Sequence, residues 1–335
     1  MAQPPYPPSK PPARPGRAGG RKDRKKDPFP FLAAFLAGLL LAAAGLIGFS
    51  YIFFAQRQNP AVSFSVPQIL PGIAPVPEKR DLHPLTQAQE SAVAGALADL
   101  RELPPKALAP SSPPDKARAA MVIVIDDLGE NLSSIKLLLS LDYPVTFSFW
   151  PHGARVREGT QAVHEAGGEI LIHYPMEPLG YPGVFPGPGT LLSSMPAGRI
   201  AELVEAGISA VPHAVGLNNH MGSRFTQNRS GVAAVLLTLK QHDLFVLDSF
   251  THKNSVLAAM GRRLGLKTFS RDVFLDDVPR REAILAELRQ AERLALRRGK
   301  SIAIGHPLPE TLAVLKEWQA TRNPAVRLVR LGDLP

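Results

Sequence analysis

The sequence contains no cysteine among its 335 residues. Disulfide bonds and thiolate metal sites are therefore excluded, and any bound metal must rest on histidine and carboxylate ligands. Nucleotide-binding signatures are also missing, because no G-x-G-x-x-G follows the first predicted strand and G-x-x-x-x-G-K-[ST] occurs nowhere in the chain. The nucleotide-binding versions of an α/β fold thus lose support.

Net charge is scarce outside the first 27 residues. The chain carries a formal net charge of +9, and residues 1–27 alone supply +6 of it, from eight Lys/Arg against two Asp. Only +3 remains for the other 308 residues. A basic tail is a weaker indication of a nucleic-acid partner than a basic domain. We therefore expect no nucleic-acid partner.

Residues 31–55 form a 25-residue stretch without a charge. Roughly 20 apolar residues are enough for a helix to span the hydrocarbon core of a bilayer. The stretch is longer than the roughly 7–15 apolar residues of a cleavable signal peptide, and no A-x-A-like site follows it closely. We predict an uncleaved transmembrane signal anchor over residues 28–55. The basic residues before it place the N-terminus in the cytoplasm and the C-terminal part in the periplasm, as a single-pass protein of the inner (cytoplasmic) membrane.

The 34 prolines of the whole chain are unevenly spread, and their distribution marks its segments. We predict a disordered basic cytoplasmic tail over residues 1–27 and a Pro-rich stalk over residues 56–118, with one amphipathic helix at about 86–103. From residue 119 to residue 335, strand and helix signals alternate. This alternation predicts seven or eight parallel βαβ units in an α/β domain, a closed or nearly closed (β/α)7–8 barrel, with an open doubly wound sheet as the alternative.

Polar side chains gather where the predicted strands of this domain end. At the carboxyl ends of β/α-barrel strands the loops vary over a rigid frame, and catalytic groups converge there. Capping of the following helix explains one such residue, but it does not explain six strands that end in this way. The residues are Asp126 and Asp127 after strand one, His173 after strand three, Asn218, Asn219 and His220 after strand four, Asp248 and Ser249 after strand five, Asp272 after strand six, and His306 after the strand "SIAIGH".

Two adjacent carboxylates at the end of a buried strand repel each other unless a cation or a shared proton compensates. Asp127, His173 and His220, from three strands, make a three-ligand site for Zn²⁺ or a related divalent metal, with a position left for water. Asp126 would then act as the base for that water. For the two aspartates alone, a helix N-cap with a solvated neighbour is the alternative. Further candidates for contacting substrate or supporting the site are Glu177, Asn219, Ser223, Asp248 and Asp272.

Five short stretches, "VIDDLG", "HYPMEP", "NNHMGS", "VLDS" and "AIGHP", occur in this order between about residues 119 and 320. This part of the chain resembles the divergent polysaccharide deacetylase family, a branch of the polysaccharide deacetylase superfamily. The resemblance implies a distorted barrel of the glycoside hydrolase/deacetylase type, an envelope setting and a carbohydrate substrate. It also implies that Asp126 is the base, Asp127 a metal ligand and His306 the acid.

The ligand histidines depart from the superfamily pattern, which takes both from one H-x-x-x-H stretch. Here the fourth position after His173 is Glu177. His220, at the end of the neighbouring predicted strand, is therefore the candidate for the second histidine ligand.

Three functions remain open at this point. The residues favour a metal-dependent hydrolase of carbohydrate metabolism, with zinc as the expected metal, that removes N- or O-acetyl groups from a polysaccharide. Peptidoglycan is the nearest acetylated polymer to a tethered periplasmic domain. A metal-free glycosidase would use two carboxylates, for example Asp126 and Glu177. A non-catalytic envelope scaffold would bind a glycan or a protein partner on the same fold. The expected partners are a polysaccharide and the membrane.

Overall fold

The computed structural model describes residues 119–334 and four isolated helical residues, Ser91, Ala94, Gly95 and Ala98. These four fall within the helix predicted at about residues 86–103. The predicted tail, membrane anchor and remaining stalk lie outside the described residues. Within the described part of the chain, no helix has the length and hydrophobicity needed to cross a membrane.

Strands and helices alternate along residues 119–334, as the sequence predicts. The strands are β1 (Ala120–Leu128), β2 (Thr146–Phe149), β3 (Glu169–Met176), β4 (Ala214–Met221), β5 (Phe245–Asp248), β6 (Thr268–Ser270), β7 (Val273–Phe274), β8 (Lys300–Gly305) and β9 (Arg327–Leu328). The helices are α1 (Leu132–Leu139), α2 (Val156–Glu165), α3 (Ala197–Ala210), α4 (Arg229–Gln241), α5 (Leu257–Arg263), α6 (Arg281–Arg298) and α7 (Pro309–Trp318).

The strands form one parallel sheet in the order β6-β5-β4-β3-β2-β1-β8-β7, with β9 beside β1. Strands β6 and β7 follow each other in the chain but lie at opposite ends of this order. The sheet therefore curls until both ends meet the same short segment. There the N–H of Arg271 donates to Asp248 O (3.0 Å) and the N–H of Asp272 donates to Ile302 O (2.8 Å).

The result is a curled, parallel half-barrel rather than a barrel with a continuous hydrogen-bonded wall. Among the described residues, no ladder joins β6 to β7. The prediction that Asp272 ends a single strand six is wrong, because the chain divides there into β6 and β7, and each half pairs with a different edge of the sheet. Asp272 accordingly lies between two short strands and does not end one.

Both faces of the sheet are buried, which explains the continuous apolar run of β1. Met121, Ile123 and Ile125 belong to the larger buried cluster, which includes apolar side chains of the helices. Val122 and Val124 alternate with them and belong to a second buried cluster. That cluster also contains side chains of β5 and β8 and of residues 329–334, the C-terminal turn. Strands buried on both faces are apolar at every position, as in "MVIVI".

A candidate metal centre at the carboxyl edge of the sheet

Three side chains from β1, β3 and β4 converge on one point at the carboxyl edge of the sheet. Asp127 Oδ1 lies 3.2 Å from His173 Nε2 and 3.1 Å from His220 Nδ1. The two histidine nitrogens are themselves 3.1 Å apart. The structure thus brings together the three residues that the sequence predicts as metal ligands.

The backbone at the end of β1 turns both aspartates toward this point. Successive side chains of a regular strand point to opposite faces. Here the pairing register with β2 shifts between Ile125 and Leu128, and Asp127 has a left-handed φ of 55°. Such an irregularity re-aims a side chain at the end of a strand. As a result Asp126 Oδ1 and Asp127 Oδ1 both approach the imidazole of His173, at 3.6 Å from Nδ1 and 3.2 Å from Nε2 respectively.

The geometry of these atoms fits a small divalent cation. Ligand atoms bound at about 2.0–2.1 Å to a tetrahedral ion lie about 3.3 Å from one another. The three separations of 3.1–3.2 Å in this cluster match one face of such a tetrahedron. One carboxylate and two imidazoles is a donor set that suits zinc and leaves a fourth position open.

The charges of the cluster are arranged for a cation as well. Burial alone would raise the pKa of Asp127, but the hydrogen bonds and charges of His173 and His220 hold it well below its usual range. Burial opposes protonation of His173, yet the carboxylates of Asp126 and Asp127 raise its pKa to about 9. Burial lowers the pKa of His220, and the charge on His173 adds to this effect. The positive charge of a protonated His173 therefore offsets one of the two carboxylates, in the position where a divalent metal ion would offset both.

Asn218, one position before Asn219 on β4, connects Asp126 to His173. Its side-chain amide donates to Asp126 Oδ1 at 2.8 Å, and its oxygen lies 3.0 Å from His173 Nδ1. The side chain is fully buried. Sequence reasoning placed Asn218 at a strand end but gave it no role, because an amide carries no charge pattern that would single it out.

His306, the predicted acid, lies on the opposite side of Asp127, with Nε2 3.9 Å from Asp127 Oδ2. The ring nitrogen Nδ1 of His306 lies 2.9 Å from Asp276 Oδ1, and the backbone N–H of His306 donates to Asp276 Oδ2 at 2.7 Å. Thr311 Oγ1 donates to the same Oδ2 at 2.8 Å. Burial opposes protonation of His306, but the hydrogen bond to Asp276 and the nearby carboxylate of Asp126 raise its pKa.

Asp276 is a residue that the sequence analysis missed. Its side chain is fully buried beside His306. A signal was present, because "VFLDD" repeats the pattern of an apolar run followed by two acids that drew attention to "VIVIDD". Trp150, also missed, donates from Nε1 to Asp127 Oδ1 at 2.7 Å and so holds the carboxylate from the β2 side.

Two of the further candidates fasten the long loop that follows β3. Glu177 Oε2 accepts a hydrogen bond from the N–H of Ser193 at 2.7 Å, and its other oxygen lies 3.5 Å from Arg224 Nε. Ser223 Oγ accepts from the N–H of Leu179 at 3.0 Å. Both side chains therefore hold the loop against the end of β4.

The other three candidates bind backbone groups, Asn219 and Asp248 at the carboxyl edge of the sheet and Asp272 near the start of β8. Asn219 Oδ1 accepts from the N–H of Ser249 at 2.9 Å. Asp248 Oδ1 accepts from the N–H two residues further along the chain at 2.9 Å. Asp272 Oδ2 accepts from the N–H of Ile302 at 3.0 Å. These contacts shape the edge without reaching the three converging ligand atoms.

Exposed apolar side chains surround the site. Six of the seven large hydrophobic residues that are exposed among the described residues lie on loops after β3, β5, β7 and β8. Phe250 has a left-handed φ of 51°, and its carbonyl accepts from Arg271 Nη2 at 3.1 Å. These loops offer apolar contacts to a ligand at the site. The six residues are Leu179, Val184, Phe185, Phe250, Val278 and Leu308.

The curled parallel sheet and the Asp-His-His cluster define the class of protein: an α/β domain with a candidate metal centre at the carboxyl edge of its strands. Comparison with known families gives the family. Residues 123–334 match the model of the divergent polysaccharide deacetylases, so the chain belongs to that family.

Relatives in two bacteria share this part of the chain. The uncharacterized protein YibQ of Escherichia coli (strain K12) is 35% identical over 214 residues, which cover 64% of this chain and 66% of that protein. An uncharacterized protein of Haemophilus influenzae is 31% identical over 218 residues, covering 65% of this chain and 77% of that protein. The chain thus spans about two thirds of the length of the Escherichia coli relative.

A solved structure shares the fold. The crystal structure of the uncharacterized protein ATU2773 from Agrobacterium tumefaciens C58 is similar with a TM-score of 0.61 at 27% identity. The match covers 64% of this chain and 89% of that one.

Proposed function

We propose that this protein is a metal-dependent hydrolase that removes acetyl groups from a polysaccharide. The observation that carries the proposal is the convergence of Asp127 Oδ1, His173 Nε2 and His220 Nδ1 within 3.2 Å of one another. His306, whose pKa is raised by the hydrogen bond to Asp276, lies on one side of this cluster and Asp126 on another. Membership of the divergent polysaccharide deacetylase family supports a carbohydrate ligand.

Asp127, His173 and His220 would hold the ion, and zinc fits the donor set best. A divalent ion in this position supplies Lewis acidity, which polarises a carbonyl and lowers the pKa of water. The chain's own groups supply the proton transfers. Asp126 is the general base that accepts the proton of the attacking water, and its Oδ1 is already held by an amide donor. His306 is the general acid, which donates from Nε2 to the leaving amine or hydroxyl.

Asp276 supports the acid. Its carboxylate receives both the ring N–H at Nδ1 and the backbone N–H of His306. The imidazole is thereby fixed with Nε2 directed toward the reacting group, and its protonated form is stabilised. The two carboxylates needed by the glycosidase alternative have less support, because both oxygens of Glu177 already face Ser193 and Arg224.

The substrate and location that we propose come from the sequence. The charge-free run of residues 31–55 and the basic residues before it favour an inner-membrane anchor with this domain in the periplasm. Peptidoglycan is then the acetylated polymer within reach, and the apolar side chains around the site could contact the non-polar faces of its sugar rings. An envelope protein partner would be compatible with the same arrangement.

The first test is the metal content of the full-length chain, purified in detergent without added metal, beside His220→Ala. We expect about one equivalent of zinc or a similar ion in the parent and its loss in the variant. His242→Ala is the matched control, since His242 lies on the surface of α4's C-terminus and pairs with Glu205. A well-folded parent that takes up no divalent metal would contradict the proposal and favour the scaffold.

The second test is turnover. Acetate release from acetylated oligosaccharides should occur with the parent and fall at least 100-fold in Asp126→Asn, because a positioned base contributes about 10²–10⁴-fold. Release of reducing ends that persists in a chelator would instead identify a glycosidase. Tight glycan binding without any product, unchanged in His306→Ala, would identify a scaffold.

A further inference from the structure

Asn218 has all four hydrogen-bonding positions of its side chain occupied, in a fully buried setting. Its Nδ2 donates to Asp126 Oδ1 at 2.8 Å and to Ser249 Oγ at 3.2 Å. Its Oδ1 accepts from Ser148 Oγ at 2.6 Å and faces His173 Nδ1 at 3.0 Å. An amide offers two donors and two acceptor lone pairs, so nothing in this side chain is left unsatisfied.

The partners fix which way the amide points. The NH₂ group of Asn218 faces Asp126 and donates to it, as a carboxylate that serves as a base requires. The oxygen of the amide then faces His173. Since this oxygen only accepts, His173 must carry its proton on Nδ1. Nε2, the other ring nitrogen of His173, thereby faces the point where Asp127 and His220 converge, where a metal ion would take the place of its proton.

We propose that Asn218 is a positioning residue that ties the general base to a metal ligand through a single amide; this inference rests on the proposed function. One end of the amide sets the tautomer of His173 so that Nε2 is ready to ligate. The other end holds Asp126 by Oδ1. No side chain of the described residues hydrogen-bonds the second oxygen of Asp126, which leaves that oxygen for the attacking water.

Ser148 on β2 donates a hydrogen bond to the amide oxygen of Asn218. It is fully buried, and its hydroxyl gives the shortest of the four contacts. Ser148 touches neither Asp126 nor the converging ligand atoms through a hydrogen bond, so its removal should loosen Asn218 without breaking either link. Ser148→Ala is therefore a milder variant, which tests whether the orientation of Asn218 itself affects metal binding.

The two links can be separated by substitution. Asn218→Asp keeps the size and the acceptor for His173 Nδ1–H, but it replaces the donor to Asp126 with a second carboxylate oxygen. Two carboxylates at this distance repel each other, so Asp126 is no longer held in place by a donor. We therefore expect Asn218→Asp to bind zinc at least as tightly as the parent, because the histidine partner becomes anionic, while acetate release falls at least 100-fold. Asn218→Ala removes both links and should weaken zinc binding by about 10- to 100-fold.

The experiment measures zinc affinity of the full-length chain by competition with a chelator, together with the visible absorption spectrum of the cobalt-loaded protein. The parent, Asn218→Ala, Asn218→Asp and Ser148→Ala are compared, with Asn254→Asp on an exposed loop as the control for the same chemical change. We expect the order parent, Ser148→Ala, Asn218→Ala in decreasing affinity. The cobalt spectrum of Asn218→Ala should also change, because the ring of His173 loses its orientation, whereas a purely structural role would leave the spectrum unchanged.

The same measurements distinguish a failure of this inference from a failure of the proposed function. If the parent binds no zinc or cobalt, the proposed metal centre is wrong and this inference falls with it. If the parent binds zinc but Asn218→Ala binds it within threefold and with the parent's cobalt spectrum, only the role of Asn218 is wrong. Should Asn218→Ala fail to fold, Asn218→Asp decides, since a tenfold loss of zinc affinity in that variant overturns the proposal.

Discussion

The support of His306 by Asp276 makes a prediction that can be worked out from the structure. Asp276→Asn changes one oxygen to an NH₂ group and leaves the volume of the side chain unaltered. The amide oxygen should take the place of Oδ2, because that position accepts from both the N–H of His306 and Thr311 Oγ1. The NH₂ group then faces His306 Nδ1, where it replaces an acceptor with a donor.

The expected loss follows from the strength of the bond that disappears. A hydrogen bond to a charged group contributes about 1.5–3 kcal/mol. If this is the stabilisation of the protonated imidazole that Asp276 provides, kcat/KM should fall by about 10- to 150-fold. The pH profile should move as well. A general acid works in its protonated form, so activity declines as the pH rises through the pKa of His306. Since Asp276 raises that pKa, its neutralisation should shift the alkaline limb to lower pH.

The assay is acetate release across a range of pH values, for Asp276→Asn beside Asp277→Asn. Asp277 is the next residue and is exposed, so this control makes the same charge change without touching the imidazole. We expect the control to stay within threefold of the parent. An NMR titration of the His306 ring gives the same answer without turnover. An alkaline limb and a ring pKa that do not move in Asp276→Asn would refute the reasoning.

Three further predictions concern the zinc affinity, the stability and the ligand contacts of the domain. Trp150→Phe removes the indole N–H that holds Asp127, and chelator competition should show zinc binding weakened about tenfold or more. Glu169→Ala removes the acceptor of three hydrogen bonds, one from Thr146 and two from backbone N–H groups of the C-terminal turn, and urea unfolding should show a loss of about 2–4 kcal/mol. Phe250→Gly should not lower the melting temperature, because relief of about 1–2 kcal/mol of backbone strain at its left-handed φ offsets the greater flexibility of glycine in the unfolded chain. Calorimetry should at the same time show weaker binding of acetylated oligosaccharides.

Much of the fold follows from periodicity alone. The apolar run of β1 predicts a strand buried on both faces, and the alternation of such runs with amphipathic segments predicts a parallel sheet. The edge at which the functional groups gather follows as well, because all parallel strands end on the same side. Closure of the sheet could not be predicted in this way. The split between β6 and β7 depends on which edge each half of residues 268–274 reaches, and their side-chain pattern is that of one continuous strand.

The candidate site was predictable where charge marks it and unpredictable where neutral groups build it. Asp127, His173 and His220 stand out because titratable residues rarely end buried strands. His173 and His220 approach each other because β3 and β4 are neighbours, whereas Asp127 on β1 reaches them past the end of β2 because the sheet curls. Asn218 and Trp150 escape such reasoning, since amides and indoles also fill ordinary cores and turns. Only the three-dimensional contacts show that both hold an acid of the site.

The two Asp-Asp pairs show how far identical sequence patterns can diverge. Asp126 and Asp127 both turn toward the site because the second residue of the pair adopts a left-handed φ, which breaks the alternation of the strand. Asp276 and Asp277 follow a similar apolar run, but Asp277 has no such φ, and it points to solvent while Asp276 stays buried under His306. One dihedral angle thus separates a pair that can serve as base and ligand from a pair in which a single carboxylate supports an acid. The left-handed residue Asp127 therefore lies at the candidate site, at the end of a strand that is buried on both faces.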